Sequence, residues 1–578
     1  MKAYMDNKKL EELLLTVQKP GRYVGGEWNA VRKEWTPGRV KFLLAFPDTY
    51  EVGMSNLGIK ILYGILNNRD DCLAERVFAP WKDFEAVLRN NDMELFSLES
   101  RRPIKEFDII GFSLSYELCY TNVLNILDLG GIPKESSKRR EDDPLIIAGG
   151  PACFNPEPMA EFFDAFVIGD GEDVVLEIVE LCKKYKYAER STHNAQRKEL
   201  LRQLANIKGV YVPSLYRVSY NADGTIKEFV PTEDGAPDSI EKRVVEDLDS
   251  AFYPVKQIVP NIQVVHDRIA IEIMRGCKHA CSFCQATTIY RPWRERSKDK
   301  ILELARQAYA MTGYDEISLL SLSSVDHSRL KEMIEELSAE FCPKSVSLSV
   351  PSLRIEDAIE DLPALISKVK KSGLTFAPEA GSEKLRKSIN KNIDMEKLFK
   401  AASGSFRAGW RHVKLYFMIG LPLEDDNDIL RIAELIHKVS SLRKEIDGKA
   451  AQVTVSINPF IPKARTRFER AAMDSIETLE KKKDALKRAV KSKFIVLDFH
   501  SSSASLLEAV FARGDRRLAS VVLDAWKRGA RFDGWSEGFD FNIWASSFKD
   551  ACIDPAFYAS RTREAGEILP WSKILPQQ

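Results

Sequence analysis

Three cysteines, Cys277, Cys281 and Cys284, fall within eight residues in the stretch MRGCKHACSFCQATTIYRPW, and the whole chain has only nine. Thiolates this close together are metal ligands, and their number narrows the choice of metal. A structural zinc site is closed by four protein ligands. His279 would be the fourth, but it is crowded between Cys277 and Cys281 on the same turn. A cubane 4Fe–4S cluster has four irons, so three cysteines ligate three and leave the last open to a small molecule. The C-x3-C-x2-C spacing therefore points to an iron–sulfur centre with a coordination position for a substrate or cosubstrate.

Such a loop needs rigid elements around it. Ile269–Met274 ends directly before it and reads as a strand. Further apolar runs of strand length, Glu316–Leu322, Ser345–Val350, Leu374–Ala377, Val413–Ile419 and Gln452–Ile457, are each followed by helical periodicity. Ser297 is placed to cap one of these helices, SKDKILELARQAYAMTG. The pattern predicts a partial (β/α)6 barrel over residues 263–484. The cysteine loop, following the first strand, lies at the C-terminal mouth, where barrels carry out their chemistry.

Upstream, VKFLLAF, FDIIGFSLSY, DPLIIAGGPACF and FFDAFVIGDGE are strands alternating with helical patterns. They predict a doubly wound parallel sheet at 40–185. Residues 1–39 form a helix and an arm, with Leu10, Leu13, Leu14 and Val17 at helical spacing and Asp6 or Asn7 as the cap. Residues 186–262 read as a connector with a few strands, turning at NADGT. Residues 485–578 read as a mixed α/β tail domain, too rich in aromatics and arginine for disorder. The fold class is α/β throughout.

Across 578 residues the 85 basic and 85 acidic side chains cancel, so no global charge advertises nucleic acid or a membrane. No apolar run approaches the roughly 20 residues that span a bilayer. The N-terminal stretch does not read as a signal peptide. The remaining cysteines are scattered in apolar surroundings, as free thiols in a reducing compartment would be. A cytoplasmic protein is expected.

The cysteine loop resembles the C-x3-C-x-aromatic-C signature of the radical S-adenosylmethionine (SAM) superfamily, with Phe283 in the aromatic slot. The resemblance implies a 4Fe–4S cluster on Cys277, Cys281 and Cys284, SAM on the open iron, and an electron donor such as flavodoxin or ferredoxin. It further implies SAM contacts at Ser321, Ser323 and Ser324 after the second strand, and at Glu379 and Gly381 in FAPEAGSEKLR. Gly420, in the turn Ile419–Gly420–Leu421–Pro422, resembles the one that packs on adenine. Glu379 also suits a helix cap, and Gly420 a plain turn. Lys414 points into or out of the barrel according to register. Arg291, Arg294 and Arg296 read as a solvated loop, with an anionic partner as the alternative.

The first sheet resembles a cobalamin-binding domain. PDTYEVG matches its D-x-H-x-x-G turn, with Asp48 and Gly53 in place and Tyr50 where the cobalt-ligating histidine stands. Ser113 in GFSLSY, Gly149 and Gly150 in IIAGGP, and Gly169 through Glu172 in VIGDGE match its later turns. A phenol is a poor cobalt ligand. Two readings are open: cobalamin bound without a histidine, or a domain that only shapes the barrel mouth. Together with PGRYVGGEWNAVRK, INPFIPKARTRFE and RGDRRLASVV, these stretches resemble a subgroup of radical SAM proteins carrying an N-terminal cobalamin-type domain.

The resemblance implies an enzyme that cleaves SAM to modify, and in one form methylate, an unactivated carbon. The tail's RGDRR (Arg513–Arg517) and the basic run Lys481–Phe494 suggest RNA or protein as the substrate. Both also read as self-paired, solvated charge. His500 reads as a satisfied histidine rather than a proton donor. Two other classes compete. A methylthiotransferase-like enzyme would use a second three-cysteine set, for which Cys72, Cys119 and Cys153 are too far apart in sequence. A non-catalytic iron–sulfur or SAM-binding sensor or assembly protein would hold the cluster without turnover.

Overall fold

The computed structural model describes residues 7–186, 196–232, 235–351 and 374–575. Asp6, one of the two expected helix caps, lies outside them. In the first unit, β1 (Val40–Phe46), β2 (Cys72–Phe78), β3 (Ile109–Ser113), β4 (Leu145–Gly149) and β5 (Ala165–Val167) pair in parallel in the order β2–β1–β3–β4–β5. Helices cover the sheet, which is why its strands are nearly continuous apolar runs. β6 (Val210–Tyr211) adds an antiparallel edge to β5, although it comes from the stretch read as a connector.

β2, CLAERVF, is absent from the expectations above because Glu75 and Arg76 break its apolar run. Both are buried. Arg76 is held between Glu27 at 3.0 Å and Glu99 at 2.6 Å, and the phenol of Tyr50 donates to Glu27 at 3.1 Å. The charge is neutralised inside the unit, so the strand runs through the core.

The connector forms the hairpin β7 (Tyr216–Tyr220) and β8 (Ile226–Pro231) around the NADGT turn. Its β9 (Ile240–Glu241) pairs with β19 (Ile574–Leu575) near the chain's end. In the barrel, β10 (Ile269–Glu272), β13 (Glu316–Leu320) and β14 (Ser347–Ser349) form one parallel sheet. β15 (Leu374–Glu379), β16 (His412–Ile419), β17 (Gln452–Pro459) and β18 (Ile495–Phe499) form another. β18 belongs to the stretch read as tail, so the described residues supply one parallel strand beyond the six expected. A small antiparallel ribbon, β11 (Met274–Arg275) with β12 (Arg294–Glu295), brackets the cysteine loop.

The tail is not a separate body. Its helices Ser502–Arg513, Leu518–Lys527 and Phe541–Asp550 share a core with the first sheet. Trp535 donates to Asp48 at 2.8 Å, Thr121 to Asp533 at 2.6 Å, and the Asn155 amide to the Gly514 carbonyl at 2.9 Å. Of the two readings of RGDRR, its contacts follow self-paired charge rather than an exposed nucleic-acid surface. Arg513 is fully buried and donates to the Ala559 carbonyl, Arg516 pairs with Glu157, and Arg517 pairs with Asp515. Lys482 and Lys483 of the basic run likewise pair with Glu424 and Glu480.

Arg76→Met would leave Glu27 and Glu99 buried without a cation. We expect it to cost about 3–5 kcal/mol of stability, read as a lowered urea midpoint. An unchanged midpoint would contradict the buried triad.

Candidate active site

The cysteine loop leaves β11 through Gly276, whose φ is +85°. A Cβ there would stand 2.7 Å from the Tyr290 carbonyl and 2.8 Å from that of Pro292. Only glycine fits both the torsion and the contact. Cys277 is buried, and Cys281 and Cys284 are half-buried. The Cys284 amide donates to the Cys281 carbonyl at 3.1 Å, and the loop runs into the short helix Ala286–Ile289. Its outer side is tied to the segment after β15. Ser282 N donates to the Ile389 carbonyl at 2.9 Å and the Asn390 amide to the Ala280 carbonyl at 2.8 Å. Phe283 packs with Leu385, Ile389, Leu421 and Phe460 in a small apolar cluster.

His279, the rival fourth ligand, is engaged elsewhere. Its Nε2 stands 2.9 Å from Asp326 Oδ2, while Lys278 Nζ is 2.7 Å from Oδ1. Burial raises the Asp326 carboxyl, but Lys278, Ser323 and His279 outweigh it and hold it below the usual range. Among the described residues no three His, Cys, Asp or Glu side chains close round a single ion. A cubane does not ask for that, because each cysteine takes a different iron. The donor set fits a three-thiolate cluster.

The expected SAM contacts gather at the same mouth but differ in availability. Ser323 and Ser324 are fully buried, and Ser324 shares a hydrogen with Ser321 at 2.9 Å while donating to the Pro351 carbonyl at 2.7 Å. Glu379 ends β15 at a φ of +66° and pairs with Lys391 at 2.7 Å. The backbone strain there is characteristic of sites held by their surroundings. Gly381 serves packing: a Cβ would lie 2.5 Å from the Asp428 carbonyl of the helix Asp426–Leu442. The Gly420 amide donates to Glu424 at 2.7 Å, and Leu421 joins the cluster around Phe283.

β16 settles the direction of Lys414. Val413, Leu415, Phe417 and Ile419 are buried against helices, so Lys414, Tyr416 and Met418 face the other way, into the barrel. The register aligns Tyr416 with Ser456 and Asp498, and Met418 with Asn458. Among the described residues the Lys414 side chain only stacks over Tyr416, at 4.8 Å, and the side chains of Ser456, Asn458 and Asp498 make no hydrogen bond or ion pair. Barrels of this kind usually fill their interior with branched apolar side chains. This half presents a polar, uncommitted wall instead.

The first sheet has its own cavity, of about 280 Å³, between β1, β3, β4 and β5 and the helices Leu57–Asn67 and Val174–Lys186. It sits where the strand order reverses, the usual ligand position in open α/β sheets. Ser113, Gly149, Gly150, Gly169 and Glu172 line it, as do Phe112 and Ile147. Asp48, Tyr50 and Gly53 do not: Asp48 accepts from Trp535, Tyr50 is buried on Glu27, and Gly53 abuts the Phe78 ring. The barrel supplies the rest of the lining through Glu272, Arg275 and Tyr290.

Arg275 and Arg294, the latter expected in a solvated loop, are two of the residues that join the two units. Arg275 reaches Glu272 at 2.9 Å, Glu172 at 2.7 Å and Asp170 at 3.1 Å, and Arg294 reaches Asp170 at 2.9 Å. Burial raises the Asp170 carboxyl, but the two guanidiniums hold it below the usual range. Arg296 is also buried, donating to the Glu272 carbonyl. Sequence spacing could not reveal these residues, because their partners lie on the other unit. Cys72 opens β2, whereas Cys119 and Cys153 follow β3 and β4, so they lie at opposite ends of the parallel sheet. They form no second cysteine set.

Comparison with known proteins follows the same division. Residues 58–213 match the family described as radical SAM proteins, N-terminal, and residues 271–436 match the radical SAM superfamily. An uncharacterized protein of Methanocaldococcus jannaschii is 28% identical over 479 residues, covering 82% of this chain and 89% of its own. A protein of the same organism, provisionally named a methylthiotransferase, is 26% identical over 34% of this chain and 42% of its own. The radical SAM methyltransferase TsrM of Kitasatospora setae, solved with cobalamin and a 4Fe–4S cluster, superposes with a TM-score of 0.49 at 13% identity. That superposition covers 75% of this chain and 78% of the other.

Two substitutions test the loop's geometry without touching a thiol. Gly276→Ala forces a side chain onto two carbonyls, and Asp326→Ala releases Lys278 and His279. Each is expected to lower iron retained after anaerobic reconstitution while leaving far-ultraviolet circular dichroism unchanged. Full iron content in Gly276→Ala would show that the loop tolerates what its backbone forbids.

Proposed function

The chain belongs to the radical SAM superfamily and is a radical SAM enzyme that uses a 4Fe–4S cluster, SAM and an external reductant; from that premise we propose that it transfers a methyl group to an unactivated carbon with the help of cobalamin. The observation that carries the reading is the set of three cysteines on one loop at the C-terminal mouth of the barrel, with His279 turned to Asp326. Cys277, Cys281 and Cys284 would hold the cluster. The chemistry it supplies when bound is one-electron reduction of the SAM sulfonium, yielding methionine and a 5′-deoxyadenosyl radical.

The chain's own residues bind, orient and exclude. Phe283 and its apolar neighbours keep water from the inner side of the loop. Glu379, fixed by Lys391, offers a carboxylate at the mouth. The wall of Lys414, Tyr416, Ser456, Asn458 and Asp498 suits a substrate with a polar or charged group. The first-sheet cavity, with its apolar walls and glycine-lined mouth, is where we place part of cobalamin. Tyr50 is buried on Glu27, so no side chain from that turn would ligate cobalt. These features favour the histidine-free reading over a domain that only shapes the mouth. Among the described residues no helix is long and apolar enough to cross a membrane. The buried thiols of Cys72, Cys119, Cys153 and Cys182 support a reducing, cytoplasmic setting with flavodoxin or ferredoxin as donor. With the tail's arginines turned inward, little favours RNA over protein or a small molecule.

The test is anaerobic reconstitution followed by SAM and reductant, with and without hydroxocobalamin. We expect 5′-deoxyadenosine from the native chain, none from the variant with all three cysteines changed to Ala, and S-adenosylhomocysteine only when hydroxocobalamin is present. A loaded cluster that never consumes SAM would favour a sensor. Lys414→Met touches neither loop nor cavity, so its iron content and substrate-free cleavage should stay within about twofold of native, as for a substitution away from a structural network. A collapse in iron would contradict its placement on the inner wall.

A further inference from the structure

Given the reading of Cys277, Cys281 and Cys284 as cluster ligands, we infer that Arg275 is a positioning residue that couples the iron–sulfur loop to the cavity of the first sheet, so that loading the loop stiffens the cavity wall.

Arg275 belongs to both places at once. Its side chain lines the cavity beside Glu172, Gly171 and Tyr290. Its backbone pairs with Arg294 in the β11–β12 ribbon, and one residue separates it from Cys277. That residue is Gly276, clamped against the Tyr290 and Pro292 carbonyls. No slack intervenes, so a displacement of Cys277 is passed to the guanidinium through two peptide units whose torsions are fixed. The guanidinium in turn holds Asp170 and Glu172, which flank Gly171 on the turn leading into the cavity-lining helix Val174–Lys186.

The turn is held from behind as well. The Asp170 amide donates to the Arg243 carbonyl at 3.0 Å and the Arg243 amide to the Ile168 carbonyl at 2.8 Å, and the neighbouring Lys242 donates to the Ile289 carbonyl at 2.9 Å and to that of Arg291, both beside the loop. The cavity wall and the cysteine loop are thus linked by two routes, one through the ion pairs of Arg275 and one through the Arg243 backbone and the Lys242 ammonium. The ion-pair route is cut by changing one carboxylate. Two guanidiniums face three carboxylates here, and the fork of Arg275 spans them in a way that a lysine ammonium would not. Coupling of this kind is reciprocal, so a ligand in the cavity would favour loading of the loop.

A plain clamp between two units would add stability and nothing more. The distinguishing readout is therefore the response to cluster loading. Hydrogen exchange by mass spectrometry, on the full chain before and after anaerobic reconstitution with iron and sulfide, measures it without any ligand in the cavity. Peptides covering 57–67 and 165–178 are expected to exchange about fivefold or more slowly once the cluster is loaded. Glu172→Gln, which keeps size and removes the charge that Arg275 grips on the first sheet, should take up iron normally and lose most of that slowing. Arg275→Lys should fall between the two and stands in if Glu172→Gln does not fold. Equal exchange in both states of a fully loaded native protein would overturn the coupling, as would full slowing in a folded variant. Failure of the native chain to take up a cluster is a different result: it removes the reading of the three cysteines, and this coupling with it.

Discussion

A three-thiolate iron–sulfur loop works only if nothing else on the chain fills the fourth position. His279 sits between two of the cysteines and is the side chain best placed to do so. Asp326 answers that problem. Its buried carboxylate lies 2.9 Å from the imidazole on one oxygen and pairs with Lys278 on the other, drawing both residues toward the turn after β13. The cost of burying the carboxylate is offset by two partners and by Ser323 nearby. The rest of the barrel mouth follows from this constraint. Gly276 admits the turn, Ile389 and Asn390 hold the loop from outside, and Phe283 anchors it from within.

The second organising feature is the junction between the units. Two similar α/β sheets could have been strung on a flexible linker. Here Arg275 and Arg294 grip the Asp170–Glu172 turn, β19 returns to pair with β9, and the tail helices pack on the first unit. Buried ion pairs contribute little net stability on average, but they are expensive to break and so fix geometry. A cavity walled by both units is one product of that arrangement.

Much of this was legible in the sequence, for reasons that differ by residue. The cysteine loop is local, so its spacing already carried its chemistry. Most strands of both sheets announced themselves as apolar runs. β2 did not, because Arg76 is paired with Glu27 and Glu99 and Glu75 accepts from the Trp35 indole, all partners distant in sequence. β18 was read as tail because Val496 and Asp498 face the open interior of the barrel and not a packed core. The PDTYEVG turn matched a cofactor pattern residue by residue, yet Asp48 and Tyr50 spend their polar atoms on Trp535 and Glu27. Asp326 and Arg275 were beyond reach of periodicity and spacing, since what makes them important is a partner on another element.

The open iron is the claim on which the rest stands. Electron–nuclear double resonance on the reduced, reconstituted protein, with SAM labelled at its amino nitrogen and carboxylate oxygens, examines it directly. Hyperfine coupling from both labels to the cluster is expected, together with a changed electron paramagnetic resonance spectrum when SAM is added. An unchanged spectrum with no coupling, in a protein holding a full complement of iron, would mean that the fourth position is closed and that these three cysteines serve structure and not SAM chemistry.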